Sequence, residues 1–168
     1  MVTIEFTYDY DPKFLPIYRS MFESEFTGRD WFDRIRYIPD NVLAYKLQSV
    51  LLNRRINSHE MKMMVIYQDG IPVGLSFPKK SFTDSEKETF NLDGDGWYKI
   101  GSIVVLDSYR NKGIAYKACK EFLKQYPKIF YHVDEKNVPS VRVAEKLKLN
   151  FSHIATLNGI NYKVYKSV

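Results

Sequence analysis

One cysteine, Cys119, stands in 168 residues, so no disulfide can close within the chain. No apolar run approaches the ~20 residues that a membrane-spanning helix needs. Histidine is also scarce: His59, His132 and His153 lie far apart, none at ligand spacing from a second metal-binding side chain, so no metal site is expected. The chain has neither a Walker loop nor the three-glycine fingerprint of dinucleotide-binding folds. Its first residues, MVTIEFTYDYDP, alternate like a strand and form no charged-then-apolar leader. These absences set the expectation of a protein of the reducing cytoplasm with no membrane partner.

What the chain does have is a mild basic excess, +5 with a pI near 9.1, and many aromatics, 13 Tyr and 11 Phe. The charge suits a phosphate-rich cofactor, nucleic acid or an acidic partner, and it equally serves solubility. Arg29, Trp31, Phe32, Arg34, Arg36 and Tyr37 interleave bases with aromatics, a pattern that nucleic acid or an anionic acceptor could use. Asp30 and Asp33 dilute that pattern, and solvated charge around a small core is the favoured reading. Nucleic acid is therefore a less favoured partner, and a homodimer is left open.

Periodicity gives the order β, α, α, β, β, β, α, β, α, β, β. Val2, Ile4, Phe6 and Tyr8 share a strand face. Asp11-Pro12 opens a helix with Phe14, Leu15, Tyr18, Met21 and Phe22, ended by Gly28. Asp40 is placed to cap a second helix bearing Val42, Leu43, Leu47, Val50 and Leu51, which fades by Asn57. Strands over 61–67 and 71–77 flank Asp69-Gly70, a strong hairpin signal. Residues 79–96 are polar and acidic, with Asp93-Gly94-Asp95-Gly96, and read as a loop. A long strand is expected over 97–106, a helix to about Gln125, a short strand over 129–133, a helix over 137–147, and a final hairpin, 151–157 and 160–165, turned by Asn158-Gly159. No repeat or linker interrupts this order. The whole chain, 1–168, reads as one α+β domain with a central mixed, mostly antiparallel twisted sheet flanked by helices.

The most informative stretch is SYRNKGIAYKACKEFLK, residues 108–124. A buried strand ends, a basic turn follows, and a helix starts at once. The first amides of a helix have no internal acceptor, and its dipole places positive charge there. Such an end suits a phosphate. Gly113 and Ala115 keep side chains away from an approaching anion, and Arg110 and Lys112 add charge. Residues alone leave two readings open, an anion site or an ordinary basic helix start. Ala115, Ala118, Cys119, Phe122 and Leu123 form the buried stripe of this helix, with Cys119 as core rather than nucleophile.

With the two valines Val104 and Val105 before it, Arg110-Asn111-Lys112-Gly113-Ile114-Ala115 resembles the R/Q-x-x-G-x-G/A signature of the GNAT superfamily of acyl-CoA-dependent N-acyltransferases. A second match lies in residues 137–147, where Asn137, Ser140, Arg142, Glu145, Lys146 and Leu147 fit N-x-x-S-x-R-x-x-E-K-L. The family usually continues Gly-Phe. This chain has Lys148-Leu149-Asn150-Phe151, two residues longer, with Asn150 standing where glycine is common and able to take a left-handed conformation. Element order agrees with the family over nearly the whole chain. The segments 14–57 and 79–96, on the acceptor side, match no motif.

The resemblance implies that acetyl-CoA lies in a V-shaped opening between the 97–106 and 129–133 strands. Backbone groups near Ile103, Val104 and Val105 pair with the pantetheine arm, amides of Arg110, Asn111, Lys112, Gly113, Ile114 and Ala115 hold the pyrophosphate, and Asn137 contacts the pantetheine. A neutral primary amine of a small molecule, a peptide N-terminus or a lysine then attacks the thioester directly, in a ternary complex, with no metal. The amine needs a base, the oxyanion a donor and the thiolate an acid. Many relatives place a Tyr acid where this chain has Ala144. Ser140, which also counts among the cofactor contacts, and Tyr131 or Tyr98 are the candidates to replace it. His132, Asp93 and Asp95 are the candidate bases. Two alternatives are a CoA-binding protein without turnover and a nucleic-acid-associated acyltransferase or binder.

Overall fold

The computed structural model describes residues 1–26, 38–57 and 60–168. The Arg- and aromatic-rich stretch 29–37 and His59 lie outside the described residues. Strand β1 (Val2–Thr7) is followed by a 3-10 turn, Pro12–Phe14, whose first N–H, that of Lys13, donates to the Asp11 carboxylate Oδ1 at 2.9 Å. Helix α1 (Leu15–Phe26) and helix α2 (Asp40–Ile56) come next. Asp40 starts α2 without capping it; Pro39 holds the cap position, and the Asp40 carboxylate is bound by Arg19 at 2.6 Å.

Strands β2 (Met63–Gln68) and β3 (Ile71–Ser76) form the hairpin that Asp69-Gly70 predicts. Both turn residues have positive φ, 51° and 80°, as a two-residue turn matched to strand twist requires. Asn158 (φ 51°) and Gly159 (φ 76°) repeat the device between β7 (Asn150–Leu157) and β8 (Ile160–Lys166). The acidic stretch 79–96 is not all loop. Asp84–Thr89 forms a short helix, α3, closed by a capping box in which Thr83 Oγ1 accepts from Glu86 N and Glu86 Oε1 accepts from Thr83 N.

The expected long strand over 97–106 is broken. Only Tyr98–Lys99 (β4) and Val104–Val105 (β5) are strand, and they belong to different sheets. One sheet runs β1-β2-β3-β5, all antiparallel. The other runs β4-β6-β8-β7, with β6 at Ile129–Asp134 and only the β4–β6 pair parallel. The cause is one surplus residue. Leu75 pairs with Val104 and Lys79 with Lys99, so four steps on one side face five on the other, a bulge. Gly101 sits at its centre, against Phe77: a Cβ there would stand 2.4 Å from the Phe77 carbonyl oxygen. The Ser76 hydroxyl, fully buried, donates to the Gly101 carbonyl at 3.0 Å and fixes the kink.

Helix α4 (Ile114–Gln125) buries Ile114, Ala118, Cys119 and Phe122 against one face of the first sheet. Helix α5 (Val138–Lys146) covers the same side of the second, over Val133 and Tyr165. On the opposite face α1 and α2 cover Met63, Val65, Leu75 and Val104, while Phe90 and Leu92, just past α3, pack on Phe130 and Val164. Among the described residues no helix is long and apolar enough to cross a membrane.

Gly101→Ala tests the bulge. The added methyl must displace backbone rather than a flexible side chain, so a loss of about 1–3 kcal/mol is expected, read in thermal melts as a fall of roughly 2–10 °C. An unchanged melting temperature would mean that the kink does not depend on the missing side chain.

Candidate active site

Beyond Phe130, β6 has a strand on one side only among the described residues. It pairs with β4 at Ile129 and Phe130 and then, from Tyr131 to Asp134, with β8 alone. On the other side of the gap stands β5, whose partner is β3. The two sheets thus part between β5 and β6, where the family resemblance implies a V-shaped opening.

The polar groups on the β5 edge follow from its register. Leu106 N donates to Val73 O at 2.9 Å. Strand amides alternate, so Val104 and Leu106 face β3 and Val105 faces the opening. Val104 therefore commits its backbone to the ladder and its side chain to the core. Ile103, in the kink, has no acceptor for its amide among the described residues. The Val105 carbonyl is already taken by Arg110 Nε at 3.0 Å.

After the 3-10 turn Asp107–Tyr109, the chain enters α4 through two left-handed residues, Asn111 (φ 60°) and Gly113 (φ 74°). Gly113 is the N-cap, and no side chain caps the helix. The first amide of this segment with a helical partner is Lys117 N, bonded to Gly113 O at 3.0 Å. From Asn111 to Tyr116 no amide meets an acceptor among the described residues. Arg110 differs from the rest of its motif: its amide bonds Asp107 O at 3.2 Å and its guanidinium pairs with the Asp107 carboxylate at 2.8 Å. It braces the turn, so the free set begins at Asn111. A Cβ on Gly113 would meet nothing within 4 Å, so the space over these amides is open. Lys112 lies across the Tyr109 ring at 5.5 Å, beside the same amides. This end of α4 has unpaired donors, dipole, charge and room, which fits a diphosphate.

Asn137 is the N-cap of α5, its Oδ1 accepting from Ser140 N at 3.3 Å, which leaves its amide nitrogen with no partner among the described residues. The Ser140 side chain lies close enough to the Tyr131 phenol to favour its charged form slightly, against the larger effect of burial. Tyr131 lies in the seam between α4 and α5, packed against both of the clusters they cover, and feels Cys119 nearby. Burial pushes its phenol up to about 12, so the proton stays on at neutral pH. Ala144 packs in the same cluster, fully buried, and offers no polar group. Tyr98 is turned toward Tyr126, ring centroids 4.5 Å apart. Burial likewise raises Cys119 to about 12, the behaviour of a core thiol. The left-handed residue after α5 is Lys148 (φ 59°), not Asn150, which opens β7. Lys148 N bonds Glu145 O and Leu149 N bonds Ala144 O, closing the helix in a Schellman turn.

His132 points to the opposite face. Its ring stacks on Phe90, centroids 4.9 Å apart at 15°, with Tyr162 edge-on at 5.1 Å. Burial, helped by the charge of Lys99, pushes it down to about 4. Asp93 and Asp95 stay in their turn, where their carbonyls accept from Lys128 at 3.4 and 2.7 Å. His153 is held between Ser152 and Thr89, both at 2.9 Å. No metal-holding group of His, Cys, Asp or Glu occurs among the described residues. Two elements of the site escaped the sequence reading. The Thr83–Glu86 capping box marks the helix that delivers Phe90 to His132, and Gly101 carries no local signal of the bulge.

The sequence matches the acetyltransferase (GNAT) family over residues 20–149. Among curated proteins none matches significantly. Solved structures with the same fold include a GNAT-family acetyltransferase of Streptococcus agalactiae, 16% identical, TM-score 0.66, covering 98% of this chain and 94% of that one. A ribosomal L7/L12 α-N-protein acetyltransferase in complex with coenzyme A is 15% identical, TM-score 0.65, covering 98% and 92%. An acetyltransferase of Salmonella typhimurium with its cofactor acetyl-CoA is 14% identical, TM-score 0.62, covering 99% and 92%. With the family match spanning most of its length, the chain belongs to the acetyltransferase (GNAT) family.

Proposed function

We propose that the protein is an acetyl-CoA-dependent N-acetyltransferase that passes the acetyl group directly to a primary amine. The observation that carries this reading is the run of unpaired amides from Asn111 to Tyr116, placed at the mouth of the gap between β5 and β6. Family relatives solved with coenzyme A or acetyl-CoA support the choice of cosubstrate.

Acetyl-CoA supplies an acyl group activated as a thioester. The amides of Asn111, Lys112, Gly113, Ile114 and Ala115 hold its pyrophosphate, with Lys112 adding charge. Arg110 acts by bracing that turn to β5. The Asn137 side-chain amide donates to the pantetheine arm. The Ile103 and Val105 amides, on the β5 edge, orient the carbonyl and stabilise its oxygen as charge develops. Tyr131, protonated throughout the working pH range, gives its Oη proton to the departing sulfur in this reading, with Ser140 beside it. Tyr131 thus takes from the strand the duty that the buried Ala144 leaves open on the helix.

The direct test follows thiol release from acetyl-CoA with a panel of amines. Cys119 is sealed in the core with its thiol kept protonated, so the native protein should give no thiol signal of its own and the readout should be coenzyme A alone. No release with any acceptor, together with no coenzyme A binding by calorimetry, would overturn the proposal. Binding without release would mark a CoA-binding protein.

Gly113→Asn separates backbone strain from blockage. Asparagine tolerates the left-handed conformation, so the melting temperature should hold to within about 1 kcal/mol equivalent. The side chain fills the open space over the amides, and coenzyme A affinity should fall at least about tenfold. Normal affinity would place the diphosphate elsewhere.

Tyr131→Phe should lower kcat by about 10²-fold with coenzyme A affinity unchanged. The phenol's raised folded-state pKa makes a stability contribution that is complete below about pH 10 and lost as pH rises toward 12. Cys119 and other buried phenols lose stability in the same range, so alkaline melts of the wild type should show a larger loss than those of the Phe variant. Equal kcat in the two proteins would remove Tyr131 from the chemistry.

A further inference from the structure

His132 has a buried ring nitrogen that nothing among the described residues satisfies. Its Nδ1 is sealed from solvent and has no hydrogen-bond partner among the described residues. Nε2 has no partner among the described residues either, and it is not sealed. A charged ring would bury an N–H at Nδ1 with no acceptor, and so would the neutral tautomer protonated there. The arrangement that strands only a lone pair is the neutral ring with its proton on Nε2. The groups around it act in the same sense. Phe90, beyond α3, covers one ring face, Tyr162 of β8 meets it edge-on, and Lys99 of β4 adds positive potential. Glu86 of α3, the one carboxylate that reaches it, is neutralised by Lys79 at 2.9 Å.

The position matters as much as the charge. His132 stands two residues past the last β4–β6 pair, on the strand that borders the gap, and its side chain lies on the face away from α4 and α5. With the cosubstrate held from the α4 side, this is the face by which the acceptor comes in; the inference rests on that reading. A neutral Nε2–H cannot take a proton from the incoming ammonium. It can only donate, and what it can meet on the acceptor is an oxygen.

We propose that His132 is an uncharged hydrogen-bond donor, through Nε2–H, to a carbonyl or carboxylate oxygen that the acceptor carries beside its amine. The acceptor class is therefore an amino-acyl compound, a free amino acid derivative or a peptide N-terminus, and not a plain polyamine, which carries no oxygen to accept the bond. A single well-placed donor rejects a substrate lacking its partner because the bound acceptor displaces water from that donor and leaves it unpaired.

Nitrogen-detected NMR of the His132 ring in the cofactor-free protein reads the tautomer without any turnover. A neutral ring protonated at Nε2 down to pH 5.5 is expected. An imidazolium at pH 6, or a proton on Nδ1, overturns the proposal. The second arm compares kcat/KM for alaninamide, an alanine-initiated tripeptide and isopropylamine. The two amino-acyl acceptors should exceed the alkylamine by about tenfold or more, carried in KM, and the ratio between them tells free amino acid derivative from peptide. His132→Phe keeps the stack on Phe90 and should erase the preference; His132→Gln keeps a donor and should retain most of it. Equal use of all three acceptors, use of none, or a preference that survives His132→Phe, overturns the role. Coenzyme A affinity should be unchanged in both variants. Failure of the wild type to bind coenzyme A would instead sink the transferase reading, so the two failures are distinguishable.

Discussion

The architecture depends on one surplus residue opposite Phe77. Between Lys79–Lys99 and Leu75–Val104 the chain has one residue too many to continue a flat ladder, and Gly101 absorbs it because its α-carbon can press on the Phe77 carbonyl. A sheet that would otherwise close stays open past Phe130. The open edge exposes backbone donors on β5, frees Tyr131 and His132 from any strand on that side, and aims β5 at the turn that starts α4. Remove the bulge and the helix end would still attract an anion, but nothing would lie beside it to react.

The strand β6 then divides the labour by its two-residue period. Tyr131 faces the α4–α5 seam, where Ser140 and Cys119 lie, and stays protonated. His132 faces the Phe90 side, where burial keeps it uncharged. Two neighbours in sequence thus serve two different polar tasks on the two faces of the sheet. Both shifts have the same cause, desolvation of the charged form, and both keep the ring neutral.

Much of the fold could be read from local signals. Asp69-Gly70 and Asn158-Gly159 announce their hairpins because a two-residue turn needs positive φ, which those residues adopt at low cost. The helix start at Gly113 could be read because glycine, basic neighbours and a following apolar stripe coincide within eight residues. The misreadings have equally local causes. Asp84–Thr89 is polar all round, so periodicity misses it although the Thr83–Glu86 box marks it. Lys148 takes the left-handed site after α5, where the longer junction had suggested Asn150, because the Schellman bonds to Ala144 and Glu145 fix the position by counting from the helix end rather than by residue type.

The sequence by itself determined the order of the longer elements, apart from α3 and the division of 97–106, both hairpin turns, the amide-rich helix start and the membership of Asn137 and Ser140 in a second motif, since each depends on chemistry within a few residues. Tertiary structure alone decided that residues 97–106 split between two sheets, that Arg110 is spent on Val105 and Asp107, that Tyr131 meets Ser140, and that His132 is walled in by Phe90 and Tyr162. Each of these joins side chains or strands brought together by packing, and desolvation and strand register have no value until that packing exists.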